Sequence, residues 1–332
     1  MDAQPRRGRP AASGLRRLDD PRPDPAGRAA GAPESGRVVS HRIRLHGHRM
    51  HYLEAGRPGG GPSIVLVHGL ADHAATWTEL ARLLGRHAHV LALDLLGSGE
   101  SDKPRGADYS VGAHAARLRD LVRELGIARV SVVGHSFGGG VALSFAYQFP
   151  ERTHRLALLA SGGLGPELGL VLRAASLPGA VGTARALARW APGCLGRLAG
   201  RAAVGLGVAP RADLEGLDRA WEVLADPGAR AAFLATLRGA VDWSGQRLTA
   251  VDRLDLFAGL PILLIAGRRD SCIPYHHSLR AHRALPCSRL ELLDAGHFPH
   301  HERPQLVADL LATFLTSSEG CGPTAVAAPR AS

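Results

Sequence analysis

The sequence predicts an α/β fold, a doubly wound, mostly parallel sheet with an inserted helical cap. Three observations carry that prediction. Between Ser63 and Ala160, short continuous apolar runs alternate with segments of helical period, the rhythm of parallel strands covered on both faces. From about Ser161 to Asp255 the strand-like runs stop, and helical segments succeed one another across breaks at Pro178, Pro192, Pro210 and Pro227. At Pro261 the alternation resumes. The expected organisation is a disordered segment 1–36, a core first half 37–160, a helical cap 161–255, a core second half 256–316 and a disordered tail 317–332.

Each element follows from its residues. Residues 1–36 are rich in Pro, Gly, Ala and Arg and show no hydrophobic period. Two runs, 38–45 and 49–54, read as an antiparallel hairpin turned at Leu45-His-Gly-His48. The run 63–67 is the first buried strand; it exits through His68-Gly69-Leu70-Ala71 into a helix carrying Trp77, Leu80 and Leu83. The next strand, 89–94, leaves by a glycine-rich turn. The helix 110–125 then sets Val111, Ala115, Leu118, Leu121 and Val122 at helical spacing. Strand 130–133, helix 141–147 and strand 155–160 close the first half. In the cap, 168–175, 181–190, 213–224 and 229–241 read as helices with no β-run between them. Strand 261–265, helix 274–284, strand 289–293 and helix 304–315 complete the core.

Composition narrows the class. A chain of 332 residues with 45% hydrophobic content holds one large α/β domain or two ordinary ones. No apolar run approaches the ~20 residues of a membrane span. The formal charge is +10, but eleven arginines against five acids in residues 1–50 supply six of those charges. Lys103 is the sole lysine, and no basic groove with interleaved aromatics appears, so nucleic acid is not an expected partner. Cys194, Cys272, Cys287 and Cys321 are scattered without a C-x-x-C pair and read as free thiols in a reducing compartment. Neither Arg6-Arg7 nor Arg16-Arg17 precedes an apolar stretch, so no export signal is expected and the cytoplasm is the default.

The chemistry concentrates in Gly134-His135-Ser136-Phe137-Gly138, a G-x-S-x-G pattern between strand and helix. A serine on so tight a turn is strained and exposed. The amide that follows it, at a helix N-terminus, faces a developing oxyanion. Such a nucleophile needs a base and an orienting acid, each at the C-terminal end of a strand. The loop after strand 261–265 offers Asp270, and the loop after strand 289–293 offers His297. His300 and His301 are rival bases and read as surface or capping residues. Asp294 is a rival acid, but it precedes Gly296-His297 too closely to meet that histidine from another loop. Asp94 and the glycines after it lack the Lys-Ser/Thr of a P-loop and read as a structural turn. Trp77, Trp243, Phe137 and Phe298 are candidates for an acyl pocket, with core packing the alternative for the two tryptophans. No metal or cofactor is expected.

Taken together, Gly134–Gly138, His68-Gly69, Asp94-x-x-Gly-x-Gly-x-Ser101, Gly267-x-x-Asp270-x-x-x-Pro274 and Gly296-His297 make the chain resemble the capped α/β-hydrolases over about 38 to 316, actinobacterial members in particular. The resemblance implies an oxyanion hole from the amides of Leu70 and Phe137. It also implies a carboxylic-ester hydrolase acting on a small or medium apolar acyl substrate. Alternatives on the same scaffold are a meta-cleavage-type carbon–carbon bond hydrolase, haloperoxidase-like chemistry, or a ligand receptor using a hydrolase pocket. Epoxide hydrolases and haloalkane dehalogenases place Asp where this chain has Ser136, which points to acyl transfer.

Overall fold

The structure is a computed structural model and describes residues 37–188, 210–247 and 249–317. The expectations for 1–36 and 318–332, for Cys194 and Cys321, and for the end of the predicted helix 181–190 lie outside the described residues.

In chain order the strands are β1 (Val38–Leu45), β2 (His48–Ala55), β3 (Ser63–Val67), β4 (His89–Leu93), β5 (Val130–His135), β6 (Thr153–Leu159), β7 (Val241–Asp242), β8 (Gly245–Gln246), β9 (Ile262–Gly267) and β10 (Ser288–Leu293). Eight of them form one sheet in the order β1-β2-β4-β3-β5-β6-β9-β10. From β4 to β10 every pairing is parallel; β1 and β2 join antiparallel at one edge.

The apolar runs are continuous because each strand is covered twice. Val65, Val67, Leu91, Leu93, Val130 and Val132 enter one core, while Ile64, Leu66, Val90, Ala92 and Val133 enter the other. Successive residues thus serve opposite faces. The first core is closed by α2 (Val111–Glu124) and α3 (Phe137–Gln148) through Leu118, Leu121, Val141 and Phe145. The second is closed by α1 (Thr78–Leu84) and the last helix (Pro304–Thr316) through Leu80, Leu84, Leu311 and Phe314. Ser110 caps α2, its side chain accepting from the Ala113 amide.

Between β6 and β9 the described chain is mainly helical: α4 (Leu170–Ala175), α5 (Ala180–Ala188), α6 (Arg211–Val223) and α7 (Pro227–Ala240). Asp226 caps α7, with Pro227 in the first turn where no amide is needed. Contrary to expectation, a short hairpin, β7 with β8, follows α7. Its two-residue strands are too short to register as alternation. The core then ends in α8 (His276–Ala284), α9 (Pro299–Glu302) and α10, the helix Pro304–Thr316. No helix among the described residues is long and apolar enough to cross a membrane.

The reading of all four cysteines as free thiols is corrected. Cys272 is free, but Cys287, just before β10, is disulfide-bonded. Pairing depends on proximity in the fold, which scattered spacing does not reveal.

Candidate active site

Parallel pairing brings several loops to one sheet edge. Val67 of β3 lies opposite Leu93 of β4 and Gly134 of β5, and Leu293 of β10 lies opposite Gly267 of β9. Ligands on such sheets bind beyond these carboxyl ends.

At the end of β5 the chain turns into α3 within one residue. Ser136 takes φ 53°, ψ −118°, a conformation that costs a non-glycine residue energy. A Cβ on Gly134 would lie 2.3 Å from the Gly138 carbonyl oxygen, and one on Gly138 would lie 2.2 Å from that of Val67. The two flanking glycines are therefore required by the close approach of helix to strands.

The structure brings Ser136, His297 and Asp270 together. Ser136 Oγ lies 3.0 Å from His297 Nε2, and His297 Nδ1 lies 2.8 Å from Asp270 Oδ2. With Nδ1–H donating to the carboxylate, Nε2 is left to accept from the serine hydroxyl. Asp270 Oδ1 accepts from the amides of Cys272 and Ile273 at 2.7 and 2.8 Å, which fixes the carboxylate. The backbone around His297 is held as firmly. The Gly296 amide donates to Glu302 at 2.6 Å, the His297 amide to Asp213 at 2.5 Å, and the His297 carbonyl accepts from His135 Nε2 at 2.8 Å.

Electrostatics follow from burial and neighbours. Burial pulls the His297 pKa down, but Asp270, with Asp213 and Asp72, outweighs it and holds the group above the ordinary histidine value. His135 and His300 go the other way, pushed well below it by burial and by neighbouring histidines. Burial, with Asp270 and Asp213, pushes the Cys272 thiol up to about 12.

The rival residues have other partners. Asp294 is 71% exposed at its side chain and pairs with Arg269 at 2.9 Å. His300 is buried and stacks on Trp77 with ring centroids 4.4 Å apart, which corrects its reading as a surface residue, while His301 is half-buried. Asp94 accepts from His51 and from the amides of Ala74 and Glu100, an anchor for its turn. His68 Nδ1 donates to the Gly69 carbonyl at 2.7 Å while Nε2 accepts from the Leu95 amide at 3.1 Å, bracing the loop that carries Leu70.

Ser136, Leu70 and Phe137 all line a cavity of about 470 Å³, whose wall is built mainly of aliphatic side chains, Leu143, Leu168, Leu172, Leu237 and Val241 among them. Of the four aromatics expected there, Phe137 lines it, while Trp77, Trp243 and Phe298 do not. Trp77 is wholly buried in the second core, and Trp243 is 53% exposed beneath the Arg173 guanidinium. Phe298 packs with its ring centroid 5.1 Å from those of His135 and His297. Large aromatics suggest a pocket, yet the insertion supplies leucines that sequence cannot tell from core residues. Asp213 and Glu302 were also missed; nothing in their spacing marks them. Among the described residues two groups have metal-ligand spacing, Asp270 with Cys272 and His297, and Glu167 with His276 and His277. In the first, Asp270 and His297 already bond each other; in the second, Glu167 also takes Arg280 at 3.0 Å.

Comparison with known proteins agrees with this architecture. Residues 62–201 match the family model described as the alpha/beta hydrolase fold. An uncharacterized protein of Mycobacterium tuberculosis is 43% identical over 284 residues, covering 83% of this chain and 80% of its own. A 2-hydroxy-6-oxo-2,4-heptadienoate hydrolase of Pseudomonas putida is 38% identical over 113 residues, 33% of this chain and 41% of its own. The solved structure of a putative lipase from Acinetobacter baumannii superposes with a TM-score of 0.64 at 24% identity, covering 84% of this chain and 91% of that one. A sheet of this order, an insertion after β6 and this family match together make the chain a member of the α/β hydrolase fold family and a hydrolase.

Proposed function

We propose that the chain is a serine hydrolase that cleaves carboxylic esters of small to medium apolar acids through an acyl-enzyme, with the helical insertion acting as a cap. The observation that carries this reading is the linear contact Ser136–His297–Asp270 opening on an aliphatic cavity of about 470 Å³. That volume lies within the usual range for small-molecule sites.

In the proposed reaction Ser136 Oγ attacks the ester carbonyl carbon while its proton passes to His297 Nε2. Asp270 holds the imidazole in its tautomer and stabilises the imidazolium. The amides of Leu70 and Phe137 receive the oxyanion; losing one such donor costs ~100–1,000-fold in rate. The carbon–oxygen bond to the alcohol breaks, and the alcohol leaves with the proton from Nε2. Water then adds to the acyl-enzyme, giving one proton to His297, and Ser136 recovers that proton as the acid departs.

A second reading, carbon–carbon bond hydrolysis, is favoured by the Pseudomonas putida relative. Against it, Leu70-Ala-Asp-His-Ala74 stands where such enzymes carry Gly-Pro-Gly-Ala, and His135 stands where they carry Asn. A panel of p-nitrophenyl esters of graded acyl length beside a vinylogous 1,5-diketone separates the two. Ester turnover that disappears in Ser136→Ala, with the variant folded, is the expected result. Full ester turnover by Ser136→Ala would sink the assignment, and saturable binding without turnover of either class would make the chain a receptor.

A further inference from the structure

We propose that Asp213, carried by the insertion, is a positioning residue of the active site, tying the loop of the base to the loop of its orienting acid. This rests on the assignment of Ser136, His297 and Asp270 made above.

Asp213 is the third residue of α6 and is 7% exposed. An acid there ordinarily serves its own helix N-terminus. Here both oxygens are taken by distant chain. Oδ1 accepts from the His297 amide at 2.5 Å, 84 residues away; Oδ2 accepts from the Ser271 hydroxyl at 2.6 Å and the Ser271 amide at 3.2 Å, 58 residues away. Ser271 follows Asp270 directly. One buried carboxylate therefore spans the loops after β9 and β10, parallel to the His297–Asp270 bond. Three donors offset the cost of desolvating the charge, and hydrogen bonds to an ionised acceptor are the strong kind.

The fit is built from both sides. A Cβ at residue 296 would lie 2.3 Å from Asp213 Oδ1 and 2.9 Å from Pro210 Cγ, so Gly296 is what lets α6 approach the base. Glu302 and His135 hold the same backbone from within the core, at Gly296 N and His297 O. Asp213 is the clamp that comes from outside it. The insertion thus contributes to the catalytic machinery as well as to the cavity wall.

Asp213 acts on His297 by geometry and by charge. The titratable groups around His297 are Asp270 and Cys272 on the loop after β9, Asp213 on α6, Asp72 on the loop after β3, His135 on β5, and His300 and His301 on α9, with Glu302 facing Asp213; the Cys272 thiol, pushed up to about 12, stays neutral across the acid limb. Removing the charge of Asp213 leaves two carboxylates to hold the imidazolium, so the acid limb of activity moves to lower pH.

The test compares Asp213→Asn, Asp213→Ala and wild type by fluorophosphonate labelling of Ser136 and by p-nitrophenyl acetate hydrolysis across pH, with circular dichroism as the folding check. Asp213→Ala is expected to lower kcat ~10–100-fold with KM little changed, the range found when an orienting partner is removed. Asp213→Asn, which keeps an acceptor for the His297 amide, falls less; both move the acid limb down. Variants within twofold of wild type with an unmoved limb overturn the proposal. So does loss of folding in both, which makes Asp213 a residue of the fold alone. A wild-type protein that fails to label, or Ser136→Ala that keeps its turnover, refutes the underlying triad instead.

Discussion

His297 stands between opposite pulls: burial disfavours its charge and three carboxylates favour it. The carboxylates prevail, which suits the role proposed for it, a base that holds a proton during attack and returns it to the leaving group. Because attack needs the neutral imidazole, kcat/KM for an ester substrate is expected to fall as pH drops through the raised pKa, with an acid limb above the ordinary histidine value. A limb at or below it in a pH–rate profile would contradict the electrostatic account. At this scale the sequence was informative where chemistry imposes a pattern. Ser136 is marked by glycines that the turn requires, and Asp270 and His297 by their positions just past apolar runs. Asp213 carries no such mark, since its partners lie 58 and 84 residues away and only folding brings them together.

Among elements, α3 has two tasks. Its first turn carries the Phe137 amide, and two turns on, Leu143 joins the cavity wall while remaining 4% exposed. Leu143→Ala is therefore expected to destabilise the fold by about 2–5 kcal/mol, the usual cost of emptying a buried leucine site. It should also shift the preferred p-nitrophenyl ester toward longer acyl chains; calorimetry and the ester panel read the two effects separately. A stability loss with unchanged chain preference would remove Leu143 from the acyl site. Strands and helices were legible because burial on two faces, or on one, leaves a period in the residues. The hairpin β7–β8 was not, because two residues make no period. The aliphatic wall was not, because a leucine facing an empty cavity is written like one facing a core.

For the molecule as a whole, the packed interior buries histidines that must stay neutral. His114 is pushed down to about 3 by burial, and His135 and His300 well below the ordinary value. Unfolded, each takes up a proton near 6.5; folded, each resists until far lower pH. Their contribution to stability is complete above that value and declines as pH falls below it, by up to about 1.4 kcal/mol per pH unit for each group. His297 runs the opposite way, its contribution lost as pH rises through its raised pKa, but it is one group against these three and against His154, His277, His282 and His301, which burial also lowers. Tm measured by calorimetry is expected to fall steadily from about pH 7 to pH 5; a flat profile would show that these sites open before the protein melts. The approach of Gly296 to Asp213 has a bearing on recombination as well. A chimera that exchanges everything between β6 and β9 with a relative inherits one partner from each parent. Crossovers chosen by domain outline would divide a pair that has to travel together, so libraries from this scaffold should link positions 213 and 296 as a single locus.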